Sequence, residues 1–310
     1  MTATAPPIKK IDKWLLNNDR SFLTAGVRAM FLSTLAFALA NAFVKQVSHI
    51  PAMEIVFFRC FVATVFCFIG LYRAKADWRG SNRKLLFLRG LFGTTALYFF
   101  FTTLQNIPLA SAMTIQYLSP IFTSIIAIFL LSEKVRSLQW LFYAIAFSGV
   151  MLIERFDSRI SPFYLTIGII SAFCSGVAYN LVRGLRGKEH PLTVVLHFQL
   201  VGAVAGFVSL FFAWRMPTGW DWLFLFLIGV FSQLGQIFLT SALQKEAVAG
   251  VAIVNYSGLI YALLIGSLWF GEVQSSASFS GMLLVVFGVL LSVVYSRRMR
   301  DVENIESTAS

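Results

Sequence analysis

Charged side chains are scarce: Asp, Glu, Lys and Arg make up 13% of the 310 residues, about half the ~25% of a soluble domain. Cysteine is scarcer still. Cys60, Cys67 and Cys174 each fall inside an apolar run, with no CxxC pair and no Cys/His cluster, so neither a disulfide framework nor a metal site is implied. No phosphate-binding loop of the G-x-x-x-x-G-K-[ST] kind occurs. Gly184–Lys188 has the wrong spacing and Glu189 follows the lysine, which argues against ATP-driven transport by this chain alone. There is no HExxH, no pair of aspartates and no nucleophile elbow, so the chain does not read as an enzyme and calls for no cofactor. No carboxylate lies near the middle of any apolar run, so a proton-coupled carboxylate mechanism is unsupported. No cleavable signal is expected: a polar tail of about 23 residues precedes the first apolar run, which continues past Asn41 without an A-x-A site.

What is abundant is apolar surface. Hydrophobic residues reach 58%, phenylalanine alone contributes 32 residues, and the mean hydropathy is +0.77. A soluble core of this length could not bury so much, and the chain is expected to be all-α and to lie in a lipid bilayer. Ten apolar spans are predicted, at 24–46, 52–72, 84–104, 108–131, 137–154, 162–183, 191–213, 220–242, 247–270 and 277–296. Each is close to the ~20 residues a helix needs to cross. Helices are expected because an open strand edge cannot be satisfied in lipid. Pro51, Pro108, Pro162 and Pro191 fall at or beside helix starts, where a missing N–H costs little. Pro120 lies inside the fourth span and should bend it.

The net charge of +11 reflects topology rather than a nucleic-acid partner. Eighteen Lys and Arg fall in the tails and loops on one side, among them Lys9, Lys75, Arg83, Lys134, Arg186 and Arg298. The other side has four: Lys45, Arg155, Arg159 and Arg215. Both termini, a tail over 1–23 and another over 297–310, are therefore predicted to be cytoplasmic.

The chain also repeats itself. Leu104–Leu152 returns 139 residues later, with Gln105 matching Gln244, Tyr117 matching Tyr256, Glu133 matching Glu272 and Gly149 matching Gly288. Asn41 with Asn180 and Gly90 with Gly229 keep the same offset. Pro51 with Pro191 and Phe58 with Phe198 slip to 140. Each half, 24–154 and 162–296, holds five spans. An odd number makes the halves enter the membrane with opposite polarity, giving two inverted five-helix repeats, an architecture used by secondary transporters.

Several features resemble the ten-helix EamA-type members of the drug/metabolite transporter superfamily. They are the paired five-helix halves, the helix ends LLSEKV (130–135) and WFGEVQ (269–274), and Gly149 and Gly288 late in the fifth helices. The resemblance covers about 24–296. It implies a solute carrier with a central cavity and leaves the cargo open. The first copy has Ser132 where the second has Gly271, and no basic residue follows Glu272 as the family motif often has.

Candidate substrate-binding residues are the polar ones inside the spans. Thr94, Tyr98, Thr102 and Gln105 share one face of the third span; Gln233, Gln236 and Thr240 share one face of the eighth. A polar stripe in lipid should face a cavity, or else a neighbouring helix. Gln116–Tyr117 and Asn255–Tyr256 lie near mid-span, where a repeat interface would hold solute, although packed aromatics with satisfied hydroxyls would look the same. Asn41 and Asn180, with Tyr179 beside the latter, are helix–helix ties as readily as ligand contacts. Gly202 and Gly206 form GxxxG. Arg59 is expected to snorkel or to pair with Glu54 rather than to bind an anion. Glu133 and Glu272 are expected to accept N–H bonds at the start of the next helix.

These features predict a secondary transporter of the cytoplasmic membrane that moves a small organic metabolite, amino-acid-like, nucleoside-like or flavin-like, by alternating access. A passive facilitator and, behind it, an enzyme acting on a lipid-linked substrate are the alternatives. The expected partners are the solute and the bilayer. A coupling ion, and a monomer or homodimer, stay open.

Overall fold

The computed structural model describes residues 25–131, 137–245 and 254–309. The described residues are helical and without strands: α1 (Ala25–Gln46), α2 (Ala52–Ala74), α3 (Arg83–Asn106), α4 (Leu109–Gln116), α5 (Ser119–Leu131), α6 (Ser137–Phe156), α7 (Pro162–Leu185), α8 (Pro191–Leu210), α9 (Asp221–Lys245), α10 (Ser257–Phe270) and α11 (Ser276–Ala309). Helices α4 and α5 together make the fourth of ten spans. The described helices fall where hydropathy puts the spans, except that α11 runs on as helix through the tail expected to begin at 297; residues 247–253 of the ninth predicted span lie outside the described residues. Glu133 lies outside the described residues.

Local chemistry explains the starts. Pro51 and Pro108 are the N-caps of α2 and α4, and Pro162 and Pro191 open α7 and α8. Each stands where no intrahelical N–H bond is lost. Asn82 and Ser161 accept the first free amides of α3 and α7, from Leu85 and Phe163.

Packing follows a pseudo-twofold pattern. Helix α1 lies on α9 as α7 lies on α3; α3 meets α8 as α9 meets α2; and α5 meets α7 as α10 meets α1. Three pairings map onto themselves: α2 with α8, α6 with α11, and the fourth span with α10. The α6–α11 crossing shows the exchange atom by atom. A β-carbon on Gly149 would stand 2.6 Å from the Gly281 carbonyl oxygen and 2.8 Å from the Val285 nitrogen. One on Gly288 would stand 2.7 Å from both the Phe142 carbonyl oxygen and the Ala146 nitrogen. These are the same contacts moved by 139 residues. Two inverted five-helix repeats, packed through backbone-to-backbone approaches at glycine, make the fold.

The apparent slip to an offset of 140 is not kept in space. Helices α2 and α8 begin at Ala52 and Pro191, 139 apart. Gly229 rests on Val62 while Gly90 rests on Val201, again 139 apart. Side-chain identity slipped by one position there because sterics, not the matching prolines, hold the register.

Candidate solute site

The fourth span is broken. Helix α4 ends at Gln116, Tyr117 and Leu118 form a turn, and α5 resumes at Ser119. Pro120 has no N–H to return to Gln116, so the backbone tightens: the Tyr117 N–H is shared between the Met113 and Thr114 carbonyls and that of Leu118 goes to Ile115. The expected bend is thus a break. The second half interrupts at the equivalent residue, Tyr256, which precedes α10 as its N-cap, although no proline stands there.

The two interruptions meet. The Tyr117 and Tyr256 rings lie 4.8 Å apart at 52°, and both side chains are buried. The Tyr117 hydroxyl donates to the Asn255 carbonyl at 3.2 Å. It also lies 2.5 Å from where a β-carbon of residue 258 would be, so Gly258 leaves room for it. Around the pair, the Thr34 and Ser257 hydroxyls bond at 2.9 Å and the Asn41 amide approaches the Met113 sulfur at 3.0 Å. Gln116 turns to α7, donating to Ser175 and accepting from Ser171.

Several other polar residues predicted for the site have partners elsewhere in the bundle. Asn180 donates to the Thr123 and Gly176 carbonyls, tying α7 to α5. Gln105 donates to the Ile50 carbonyl at 2.8 Å and closes the turn between α1 and α2. Thr102 bonds back to the Tyr98 carbonyl of its own helix. Thr94 and Tyr98 line a cleft of about 140 Å³ with Met53, Leu91, Thr95, Val201 and Ala205. The polar face of α3 therefore divides between a cleft, its own backbone and a turn. Gln233 is buried on α9 with its amide on the Cys67 sulfur, and Gln236 lies half-buried one turn on. The side chain of Thr240 lies outside the described residues.

Glu272 has a larger role than expected. It caps not α11, the next helix, but α4 of the other half, accepting the Leu109 N–H at 2.8 Å. It also pairs with Lys45 at 2.6 Å, and Lys45 donates to the Ile107 carbonyl. Gly271, at φ +63°, reverses the chain so that the Glu272 N–H reaches the Gly266 carbonyl. This is the physical content of the Gly-Glu signature. At the same end, His49 meets Asp221 at 3.0 Å and Glu54 accepts the Arg215 N–H. Arg159 grips Asp157 with two bonds of 2.8 and 2.7 Å. Those bonds hold the Asp157 carboxyl below its ordinary range. The stability they add is present above about pH 4 and lost as pH falls through the depressed native value. Melting followed from pH 5 to pH 2 should show a sag that Asp157→Asn abolishes.

Arg59 neither snorkels nor pairs with Glu54. Its guanidinium lies buried, 5.7 Å from the Phe198 ring, and Arg89 of α3 covers the same ring at 4.6 Å. Sequence reasoning passed over Arg89. Its position, more than one turn inside an apolar span, was the available signal.

The comparisons with known proteins agree with this architecture. The profile of the EamA-like transporter family matches residues 24–155 and again 162–294. The chain belongs to that family. Among curated EamA relatives, the Pseudopaline exporter CntI of Pseudomonas aeruginosa is 30% identical, over 85% of this chain and 94% of its own length. Human Solute carrier family 35 member G1 is 30% identical over 84% and 76% respectively. The S-adenosylmethionine uptake transporter of Rickettsia felis is 23% identical over 86% and 92%. A solved crystal structure matches with a TM-score of 0.61 at 16% identity, covering 88% of this chain and 98% of that one, which shows the fold. This EamA protein is a multi-pass membrane protein and a transporter of small solutes.

Proposed function

We propose that this chain moves a small organic metabolite across the cytoplasmic membrane by alternating access, with the solute passing the Tyr117–Tyr256 pair. The observation that carries this reading is the coincidence of two helix interruptions at symmetry-equivalent tyrosines in contact with each other. Interrupted helices at a repeat interface free backbone groups and supply a hinge. The tyrosines offer apolar faces with one hydroxyl each, suited to an amino-acid-like, nucleoside-like or flavin-like solute. The halves 24–154 and 162–296 are the bodies that exchange shape. The end sealed by Lys45, Glu272 and Asp157 is the one the charge count assigns to the outside, with both termini cytoplasmic, so the arrangement described is shut to the exterior. Among relatives, one is named an exporter and another an uptake transporter, so direction follows the gradients imposed on this fold.

Counterflow in proteoliposomes, with a pooled metabolite extract and mass-spectrometric readout, tests this. Wild-type protein should accumulate specific solutes, and Tyr117→Ala or Tyr256→Ala should reduce their uptake at least about tenfold, the loss of roughly 1.4 kcal/mol or more of interaction. Full uptake by both variants would remove the site. Absence of any accumulation by the wild type would remove the transporter reading.

A further inference from the structure

Helices α2, α3 and α8 enclose two cations that the fold does not neutralise. Arg59 is 7% exposed and Arg89 is partly buried. The Nη1 of Arg59, and the Nε and Nη1 of Arg89, are buried without a hydrogen-bond partner. Both guanidinium groups rest on the ring of Phe198, which places two like charges within one ring's reach of each other. Among the described residues no carboxylate pairs with either. Glu54, five residues from Arg59, accepts the Arg215 N–H with Oε2, and its Oε1 is buried without a partner rather than paired with Arg59.

A structural arginine in an apolar interior is found with a carboxylate or with backbone carbonyls, because an unpaired buried charge is costly. Two together without an anion cost more than one. Aromatic faces offset part of this and hold the planar groups in place without using their N–H donors. The same helices bound the cleft of about 140 Å³, of whose wall neither arginine is part; it has room for a few water-sized groups by the usual ~30 Å³ per water. Thr94 forms part of its wall, and the Thr94 hydroxyl also lacks a partner, as does the buried amide oxygen of Gln199 beside Phe198. Pre-oriented guanidinium donors and a free hydroxyl on the same helices are the parts of an oxyanion site.

We propose that Arg59 and Arg89 bind the carboxylate or phosphate of the transported solute, which is therefore an organic anion. This rests on the transporter reading and adds the charge of its cargo. Phe198 holds both guanidinium groups while the site is empty, and the anion neutralises them when it binds.

The test uses the same pooled-metabolite counterflow, with inorganic phosphate and citrate as added competitors and with thermal melting of each purified variant. Solutes accumulated by the wild type should carry a carboxylate or phosphate. Arg59→Gln and Arg89→Gln should lower their uptake at least tenfold, with Arg→Lys at either position retaining part of it. Melting of the ligand-free Gln variants should be unchanged or higher than wild type, because an unpaired buried charge has been removed. A purely structural arginine would instead lower it. The proposal is overturned if the accumulated solutes carry neither a carboxylate nor a phosphate, or if both Gln variants transport normally. It is overturned too if the arginines affect melting only in vesicles containing phosphatidylglycerol, which would make a lipid headgroup the occupant. If the wild type accumulates nothing, the transporter reading fails first and this one with it.

Discussion

Glu272→Ala is expected to destabilise the protein by about 3 kcal/mol or more. Lys45 and Glu272 have side chains only 15% and 9% exposed. Removing one partner of a buried pair leaves the other charge uncompensated, at about 3–5 kcal/mol. The Leu109 N–H at the start of α4 loses its acceptor as well, at about 1 kcal/mol by analogy with capping losses. Glu272→Gln keeps an oxygen for that N–H and should lose less. The double variant Lys45→Met, Glu272→Leu replaces the pair by apolar volume and should melt above Glu272→Ala. Melting of the four proteins in one detergent measures this, and a double variant no better than the single would show that the pair is not what matters. Transport should suffer with stability in Glu272→Ala, because the pair joins α1 and the end of α10 to the start of α4, and α4 leads into the broken segment at Tyr117.

The second large effect is expected at the α6–α11 crossing. A side chain on Gly149 or Gly288 would meet backbone atoms of the partner helix at 2.6–2.8 Å. Backbone cannot swing aside as a side chain can, so the helices must separate. Overpacking of this kind costs about 1–3 kcal/mol even where side chains can adjust, and valine at either glycine should reach the upper end. Gly184→Ala is the control: it too is helical, but a β-carbon there meets nothing within 4 Å. It should be neutral or gain up to about 1 kcal/mol from helix propensity. Thermal melting of Gly149→Val, Gly288→Val and Gly184→Ala should give two large losses and one null. A loss at Gly184→Ala as large as the other two would show that crossing distance is not the cause, since helix propensity favours all three replacements. Because Gly149 and Gly288 occupy equivalent places, similar losses at the two are a direct measure of the pseudo-symmetry.

Both effects bear on how a site is read from a chain like this one. Polarity inside a span marks a side chain that must find a partner, but the partner decides its role. Gln105 found a turn carbonyl, Asn180 found two backbone carbonyls, and Gln116 found a pair of serines. Tyr117 and Tyr256 found each other. All of them look alike in sequence. Arg59 and Arg89 stand apart because the described structure gives them a shared ring instead of an anion.

Hydropathy and the repeat determined the spans, their number and the inversion of the halves, because lipid forces each crossing into a helix and an odd count forces opposite polarity. The proline positions located helix starts, and Pro120 marked a weakness in the fourth span. Only tertiary structure decided which half each helix end serves. Glu272 caps a helix 163 residues away, a pairing that no local rule contains. The difference between the two copies after their tyrosines was equally opaque. Gly258 stands where the first copy has Ser119, and the reason is that the Tyr117 hydroxyl occupies the space a β-carbon would need. Such choices depend on atoms brought together across the pseudo-twofold axis, and sequence records the residues without recording who meets whom.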